Sequence, residues 1–142
     1  MKKLICLLCL LSSTAFAHES QKDIQVDVVT KSTLSWDGRT LPAYPEGQPE
    51  ISILKITIAP GTRLPLHQHG VINAGVLLKG ELTVITEKNE TLELKAGDPI
   101  VEVINKWHYG INQGNSPAEI MVFYAGIKGM ANTITQKAGT EK

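Results

Sequence analysis

The chain has 142 residues, of which 42% are hydrophobic, and 14 basic residues balance 14 acidic ones. This length suits one domain with one core. No basic stripe tracks along the sequence, which argues against a nucleic-acid partner, and no basic amphipathic segment suggests binding at a membrane surface.

Residues 1–17 have the three-part layout of a secretory signal peptide. Lys2 and Lys3 give a positive start, residues 4–11 are apolar, and the segment ends in Ala15-Phe16-Ala17, a small-residue cleavage pattern. The apolar run is shorter than the roughly 20 residues that a membrane-spanning helix needs. We therefore expect cleavage after Ala17 and export to the periplasm or the medium of a bacterium, without a membrane partner afterwards; a retained N-terminal anchor is the alternative.

The predicted mature chain, residues 18–142, contains no cysteine, because Cys6 and Cys9 both lie in the signal. Disulfides and thiolate chemistry are therefore excluded from it. Loss of two lysines leaves 12 basic and 14 acidic residues, a net charge of −2. His18 would become the first residue, where a free amine and an imidazole can chelate copper, but such a brace also needs a second histidine nearby.

From residue 24 onward the sequence predicts short strands. Apolar and polar residues alternate over 24–28 and 52–58, as is typical of half-buried strands, and the segment between them is rich in glycine and proline. Further predicted strands are 76–78, 81–86, 91–94, 100–104 and 119–125, separated by turn signals such as Lys79-Gly80 and Ala96-Gly97. Short strands about ten residues apart predict an all-β sandwich or barrel. The polar tail 133–142 is expected to fray.

Three of the four histidines lie at two places in the sequence, with His67 and His69 together and His108 further on. In an extended chain His67 and His69 point to the same face, because side chains two residues apart do so. His108 follows after several strands, and only a closed sheet would bring it to the same place. Neutral imidazole binds zinc, copper, iron and nickel. The alternatives are a surface histidine pair, or core histidines bonded to neighbouring carbonyls.

The positions around these histidines resemble the two motifs of the cupin superfamily. In the first motif, residues 61–80, five residues separate Gly61 from the His-x-His pair, and Asn73 and Gly80 follow after three and six residues. The second motif occupies residues 97–112. The matching positions of the two motifs are Gly61, His67, His69, Gly80, Gly97, His108 and Asn112.

This resemblance implies a double-stranded β-helix, which is a small antiparallel β-barrel or jelly roll, over residues 18–142. It also implies one divalent transition metal (iron, manganese, zinc, nickel or copper) on His67, His69 and His108, and a homodimer paired through N-terminal strands. The chain is similar to exported single-domain bacterial cupins that share stretches like 36–47 and 107–110, a set without an assigned reaction.

Two departures from the family motifs affect these expectations. Asn73 stands where the family places a carboxylate ligand, so we expect either a weak amide ligand or a contact to a metal-bound water. Some cupin-like thiol dioxygenases resemble this arrangement of three histidines without a carboxylate. Val103 and Asn105 replace a proline and a glycine, which predicts a differently shaped turn before His108.

Glu102 is the nearest spare carboxylate. It interrupts an apolar strand and is a candidate general base, or a partner for a metal-bound water, if it faces inward. Strand alternation equally allows it to face solvent. Trp107, Tyr109 and Tyr124 could line a pocket or belong to the core.

Asn112 is expected to hold its loop or to orient His108.

Three hypotheses for function remain: a metal-dependent dioxygenase, isomerase or lyase acting on a small molecule; a non-catalytic module that binds a small ligand or metal; and a purely structural barrel. The three intact histidines argue against the last.

Overall fold

The computed structural model describes residues 24–136. The predicted signal peptide, His18 and the last residues of the tail, 137–142, lie outside this range. The described part forms nine strands: β1 (Pro49–Ile58), β2 (His67–Gln68), β3 (Ile72–Lys79), β4 (Glu81–Thr86), β5 (Thr91–Lys95), β6 (Pro99–Val101), β7 (His108–Ile111), β8 (Ala118–Ile127) and β9 (Ile134–Thr135). Within it, no helix is long and apolar enough to cross a membrane.

The strands form two antiparallel sheets. One has the order β1-β8-β3-β6 and the other the order β5-β4-β7-β2-β9. Strands that neighbour each other in space are often distant in sequence, as in a jelly roll. The small all-β barrel or jelly roll expected from the sequence is confirmed.

The alternating pattern of the longest strands places the core between the two sheets. Along β8, Ile120, Val122 and Tyr124 are buried, whereas Phe123 is 46% exposed. Buried residues of β4, including Leu82 and Val84, face them from the other sheet. Each strand therefore contributes one face to a shared apolar interior.

The turn between β3 and β4 depends on Gly80. Its φ of 76° lies in the left-handed region, and a Cβ placed there would approach the Pro117 carbonyl oxygen to 2.7 Å. Only glycine fits this position without displacement of the backbone.

Three segments differ from the sequence predictions. Residues 24–28, predicted as a strand, form none, because no described strand lies alongside them to pair with, and Val26 is 81% exposed. The predicted strand 100–104 ends early, at Val101. In the tail predicted to fray from residue 133, Ile134 and Thr135 instead pair with Gln68 and His67 as β9.

Candidate metal centre

Two adjacent strands bring the three histidines together. His67 on β2 lies directly opposite His108 on β7. His69 follows β2 and forms a parallel bridge with Ile104. The expectation that a closed sheet would bring His108 to the His67–His69 pair is therefore confirmed.

The three imidazole rings converge on one point. Their centroids are 5.0 Å apart for His67 and His69, 4.4 Å for His67 and His108, and 5.1 Å for His69 and His108. One ring nitrogen from each lies within 4.8 Å of the other two. A single ion held between them would form metal–nitrogen bonds of about 2.0–2.1 Å.

The hydrogen bonds of the rings fix which nitrogen is available. Nδ1 of His67 lies 2.7 Å from the Pro65 carbonyl, Nδ1 of His69 lies 2.9 Å from that of Asn132, and Nδ1 of His108 lies 2.8 Å from that of Lys106. A carbonyl oxygen only accepts, so each Nδ1 must carry the proton and donate it. Every Nε2 therefore keeps a free lone pair, as a metal ligand requires.

Burial keeps these rings neutral. It lowers the pKa of His67 and of His108 below the usual value for histidine, and it lowers the pKa of His69 to about 4, against the opposing effect of the carbonyl hydrogen bonds. Neutral imidazole is the form that binds metal.

Glu102 faces the cavity. It lies just beyond the end of β6, and its side chain lines the cavity wall. Its Oε2 is 3.7 Å from Nε2 of His108, too far for a hydrogen bond, and both atoms are buried without a partner. Burial raises the pKa of Glu102 to about 7, against the opposing effect of the nearby His67.

The Glu102–His108 pair is consistent with a cation in the site. Two buried lone-pair atoms this close repel each other unless one of the groups is protonated or a positive ion lies near both. Their 3.7 Å separation is less than twice a typical metal–ligand bond, about 4.2 Å. Glu102 is not a member of the tighter three-histidine cluster, so it stands beside the site as a charge or proton partner.

Asn73 also offers a free oxygen to the cavity. Its side chain is 1% exposed, and its amide N–H donates to the Val71 carbonyl at 3.2 Å. Its Oδ1 has no partner. A buried orphan acceptor that lines the same cavity as the histidines fits either a weak ligand or an acceptor for a bound water.

A buried ion-pair cluster supports His108 from behind. The Lys106 ammonium, 3% exposed, bonds to Asp37 at 2.9 Å and to Glu90. Ser35 also donates to Asp37. Lys106 supplies the carbonyl that holds His108, so this cluster fixes the segment that orients the ring.

No local sequence pattern indicates these supporting residues. Asp37 and Lys106 are 69 residues apart, and Asn132 reaches His69 from 63 residues away. Asp37 belongs to the stretch 36–47 for which the sequence suggested a resemblance to exported cupins, but that stretch does not indicate a partner.

The turn before His108 retains a left-handed residue. Asn105 adopts a φ of 53°, a conformation that asparagine tolerates better than most residues. Its N–H donates to the His69 carbonyl at 2.8 Å. Asparagine therefore adopts here a backbone conformation that otherwise favours glycine.

The candidate aromatic residues fall in different places. Tyr124 lines the cavity, with its ring centroid 5.5 Å from that of His69. Tyr109 does not line it and instead packs under the Arg63 guanidinium at 3.6 Å. Trp107 also lies outside the cavity lining.

Asn112 holds its loop, as expected. Its side chain is fully buried and donates to the carbonyls of Ile58 and Ser116, both at 2.9 Å, while its oxygen accepts from the Gly114 N–H. The structure shows no side-chain hydrogen bond between Asn112 and His108.

The cavity beside the histidines has a volume of about 220 Å³. Apolar side chains from both sheets form most of its wall. The polar groups in the wall are His67, His69, His108, Asn73, Glu102, Tyr124, Thr133 and Thr135.

Comparisons with known proteins agree with this architecture. The model of the cupin domain family matches residues 54–124. No curated protein sequence matches the chain.

Solved structures with the same fold include oxalate oxidase in complex with the substrate analogue glycolate, 25% identical with a TM-score of 0.50, over 60% of this chain and 45% of that protein. A cupin-like protein from Thermotoga maritima is 15% identical with a TM-score of 0.52, over 64% of this chain and 68% of that one. Oxalate decarboxylase from Lactobacillus farciminis is 24% identical with a TM-score of 0.52, over 60% of this chain and 26% of its own. The last two show the fold alone, and the chain spans less than half the length of the oxalate oxidase.

Proposed function

This chain belongs to the cupin domain family, and from that membership and its histidine cluster we propose that it binds one divalent transition metal and transforms a small molecule there. The observation that carries the proposal is the orientation of the three rings. Each Nδ1–H is held by a backbone carbonyl, so three Nε2 lone pairs are left free within a buried cavity. Such preorganisation is a feature of metal sites.

When bound, the metal would supply Lewis-acid or redox activation of a small substrate. The histidines hold it, and three protein ligands leave open positions for the substrate. Glu102 would take or return a proton beside His108, because its Oε2 atom is buried and has no hydrogen-bond partner. Apolar walls exclude water from this exchange.

The reaction belongs, on this proposal, to the dioxygenase, isomerase or lyase classes. The fold alone does not select among them, since function depends on the site. The alternative is a non-catalytic module that binds a small ligand, and Asn73 favours it. A neutral amide in place of a carboxylate makes the donor set less anionic and weakens its hold on the metal.

The first experiment is a metal analysis of purified protein by mass spectrometry. We expect close to one equivalent of iron, manganese, zinc, nickel or copper, lost in a His67→Ala/His69→Ala variant. His18→Ala is the matched control, because it removes the only other histidine and should leave the metal content unchanged. A wild-type protein that takes up no metal after reconstitution at neutral pH would overturn the proposal.

A second experiment separates the enzyme from the binding module. Metal-loaded protein is incubated with a panel of small organic acids, and oxygen uptake and product formation are followed. Turnover that disappears in the double variant supports an enzyme. Retention of one equivalent of an acid without turnover supports the binding module.

Export and dimer formation are further parts of this proposal. Export depends on residues 1–17, which lie outside the described range. Its test is the cellular fraction that contains the protein and the mass of its N-terminus, with an Ala15→Glu variant to block cleavage.

A further inference from the structure

The cavity has a polar end at the histidines and an apolar end beyond them. In the five-stranded sheet, His108 on β7 pairs with Thr86 on β4. Two residues further along the same strands, Gly110 pairs with Val84. His108 and Gly110 both line the cavity, and the rise of a strand separates their Cα atoms by about 7 Å. The wall therefore becomes apolar within a short distance of the metal-binding histidines.

The four-stranded sheet has the same polarity. The ring centroid of Tyr124 on β8 lies 5.5 Å from that of His69. Val122 and Ile120 precede Tyr124 on the same buried face of β8, and Ile120 pairs with Ile56 of β1. Both sheets thus enclose the apolar end. We name this end the apolar subsite and define it as Gly110 with the side chains of Ile56, Leu64, Leu82, Val84, Ile120 and Val122.

The apolar subsite favours hydrocarbon over water. None of its six side chains carries a polar group, and the Gly110 carbonyl already accepts the Leu64 N–H at 2.8 Å. An ordered water needs roughly two to four polar partners, which these walls do not supply. An apolar cavity of about 150 Å³ is large enough to bind benzene. The whole cavity measures about 220 Å³, so it has room for a body of that size and a small polar group beside the histidines.

Gly110 sets the depth of the apolar subsite. A Cβ at this position would lie 3.3 Å from Cδ1 of Leu64 and 3.3 Å from Cδ1 of Leu82. Its φ is not among the positive values of the chain, so the backbone itself does not require glycine. Both contacts involve the ends of flexible side chains, which can shift to admit a methyl group. Glycine at this position therefore provides space inside the cavity.

We propose that the apolar subsite holds the hydrocarbon part of the ligand, an uncharged body about the size of benzene, and that Gly110 is a specificity-determining residue that makes room for it. The inference rests on the proposed function and names its substrate class. That class is small molecules with a polar group, which lies at the histidines, and a compact hydrocarbon body, which lies beyond them.

Benzene tests the apolar subsite without a contribution from the metal. Purified protein, metal-free and loaded with Zn²⁺, is titrated with benzene and followed by calorimetry and by NMR of the isoleucine, leucine and valine methyl groups. We expect one benzene per chain in both forms. The largest shifts should occur at the methyl groups of Leu82, Ile120 and Val122, because these line the subsite.

Variants at two positions test the role of Gly110. Gly110→Ala should lower benzene affinity about tenfold or more, because its methyl group occupies the space of the ligand. Leu64→Phe, at a partly buried position, fills the same space from the opposite wall and should act likewise. Leu64→Ala combined with Gly110→Ala returns that space and should restore part of the affinity.

Gly126→Ala is the matched control. Its Cβ would lie 3.2 Å from the Val71 side chain, a similar crowding, but neither residue lines the cavity. We expect this variant to bind benzene as wild type does.

The outcomes distinguish the apolar subsite from the proposed function. Folded wild-type protein that binds no benzene, or binds it without shifts at these methyl groups, overturns the inference, whatever its metal content. Equal affinity in wild type, Gly110→Ala and Leu64→Phe overturns the role of Gly110. A protein that takes up no metal yet binds benzene at these methyl groups overturns the proposed function and supports the apolar subsite.

Discussion

Each histidine of the cluster is oriented by a carbonyl from a different part of the chain. Pro65 lies just before β2 and Lys106 just before β7, whereas Asn132 comes from the segment beyond β8. Beside them, Glu102 and Asn73 present buried oxygens without partners. The site therefore has three fixed nitrogen donors and two oxygens whose charge can be altered by single substitutions.

Glu102→Gln should weaken metal binding without removing it. The substitution keeps the side chain's volume but removes the negative charge near His108, and loss of a group that supports the ligands typically costs about 10- to 100-fold in affinity. Competition with a chromophoric chelator measures this directly. An unchanged affinity would show that Glu102 does not interact with the ion, and Glu119→Gln, on the partly exposed surface, is the matched control.

Asn73→Asp should have the opposite effect on the metal. The new carboxylate would occupy the position of the free Oδ1, and we expect metal affinity to rise about tenfold, or 1.4 kcal/mol. The metal-free variant should melt at a lower temperature than wild type, because a buried carboxylate then has no cation beside it. Equal affinity in the two proteins would place the Asn73 oxygen away from the ion.

At this scale, some features could be predicted from sequence and others could not. The His-x-His spacing predicts that the two histidine side chains share a face of the chain, and in the structure they do. For Glu102, alternation determines only that it shares a face with Ile100, and nothing in the apolar run 100–104 says which face is inside. The orienting carbonyls depend on backbone contacts over long sequence distances, which no local pattern records.

Two segments without long strands support the site at the scale of elements. The loop around Trp36 and Asp37 packs against the end of β6 and the turn before β7. The backbone N–H of Trp36 donates to the Val101 carbonyl, and Asp37 forms an ion pair with Lys106. The short strand β9 covers β2 from the other side. Removing either support should displace the histidine side chains, although the histidine residues themselves are unchanged.

The Asp37–Lys106 pair predicts a loss of stability in acid. Burial raises the pKa of Asp37, but hydrogen bonds from Ser35 and Lys106 outweigh it and lower that pKa from 3.8 to about 2. A carboxylate whose pKa is lower in the folded than in the unfolded protein stabilises the fold at pH values above its unfolded-state pKa. That contribution, about 2 kcal/mol, is lost as the pH falls from about 4 to 2.

Asp37→Asn should therefore flatten this part of the profile. Urea denaturation of metal-free protein between pH 2 and 7 should show a lower free energy of unfolding for the variant at pH 7, by about 2 kcal/mol or more. The exposed Glu46→Gln is the control and should follow wild type. Parallel curves for wild type and Asp37→Asn would contradict the prediction.

β9 predicts that the tail contributes to metal binding. Deletion of residues 133–142 removes the pairing at His67 and Gln68 and the Gln136 N–H bond to the Leu66 carbonyl. We expect metal affinity to fall about tenfold, because His67 and His69 lose the neighbours that fix them. Deletion of 137–142 is the matched control, and equal effects of the two deletions would show that β9 is not needed.

At this scale the sequence predicted the elements with strong alternation and misplaced those that depend on a partner. The strand predicted at 81–86 coincides with β4. Residues 24–28 have the same alternation yet form no strand, whereas Ile134 and Thr135, in a tail without apolar alternation, do so because β2 lies beside them. Pairing, rather than propensity, decides short strands.

The whole molecule has an apolar outer surface on its four-stranded sheet. One row of paired residues crosses all four strands from Ile53 through Phe123 and Ala74 to Val101. Ile53 is 57% and Phe123 46% exposed. β1 is also an edge strand in this sheet, with backbone groups free to pair with a further strand.

The segment 24–29 supplies a matching surface. Ile24, Val26 and Val28 are 77%, 81% and 73% exposed, and their alternation is that of a strand without a partner. The homodimer expected from the family resemblance would bury both features if residues 24–29 of one copy lay along β1 of the other. Such an exchange would cover both the open strand edge and the exposed apolar face.

Val26→Lys/Val28→Lys should therefore shift the protein from dimer to monomer in sedimentation velocity at micromolar concentration, because two buried charges would replace apolar contacts. Met130→Lys, at an exposed position outside both surfaces, is the matched control and should leave the dimer intact. The metal content should stay at one equivalent per chain in every variant, since the three ligands come from one copy. A wild-type protein that sediments as a monomer at all concentrations would overturn the dimer, and a dimer that survives in the double variant would move its interface elsewhere on the molecule.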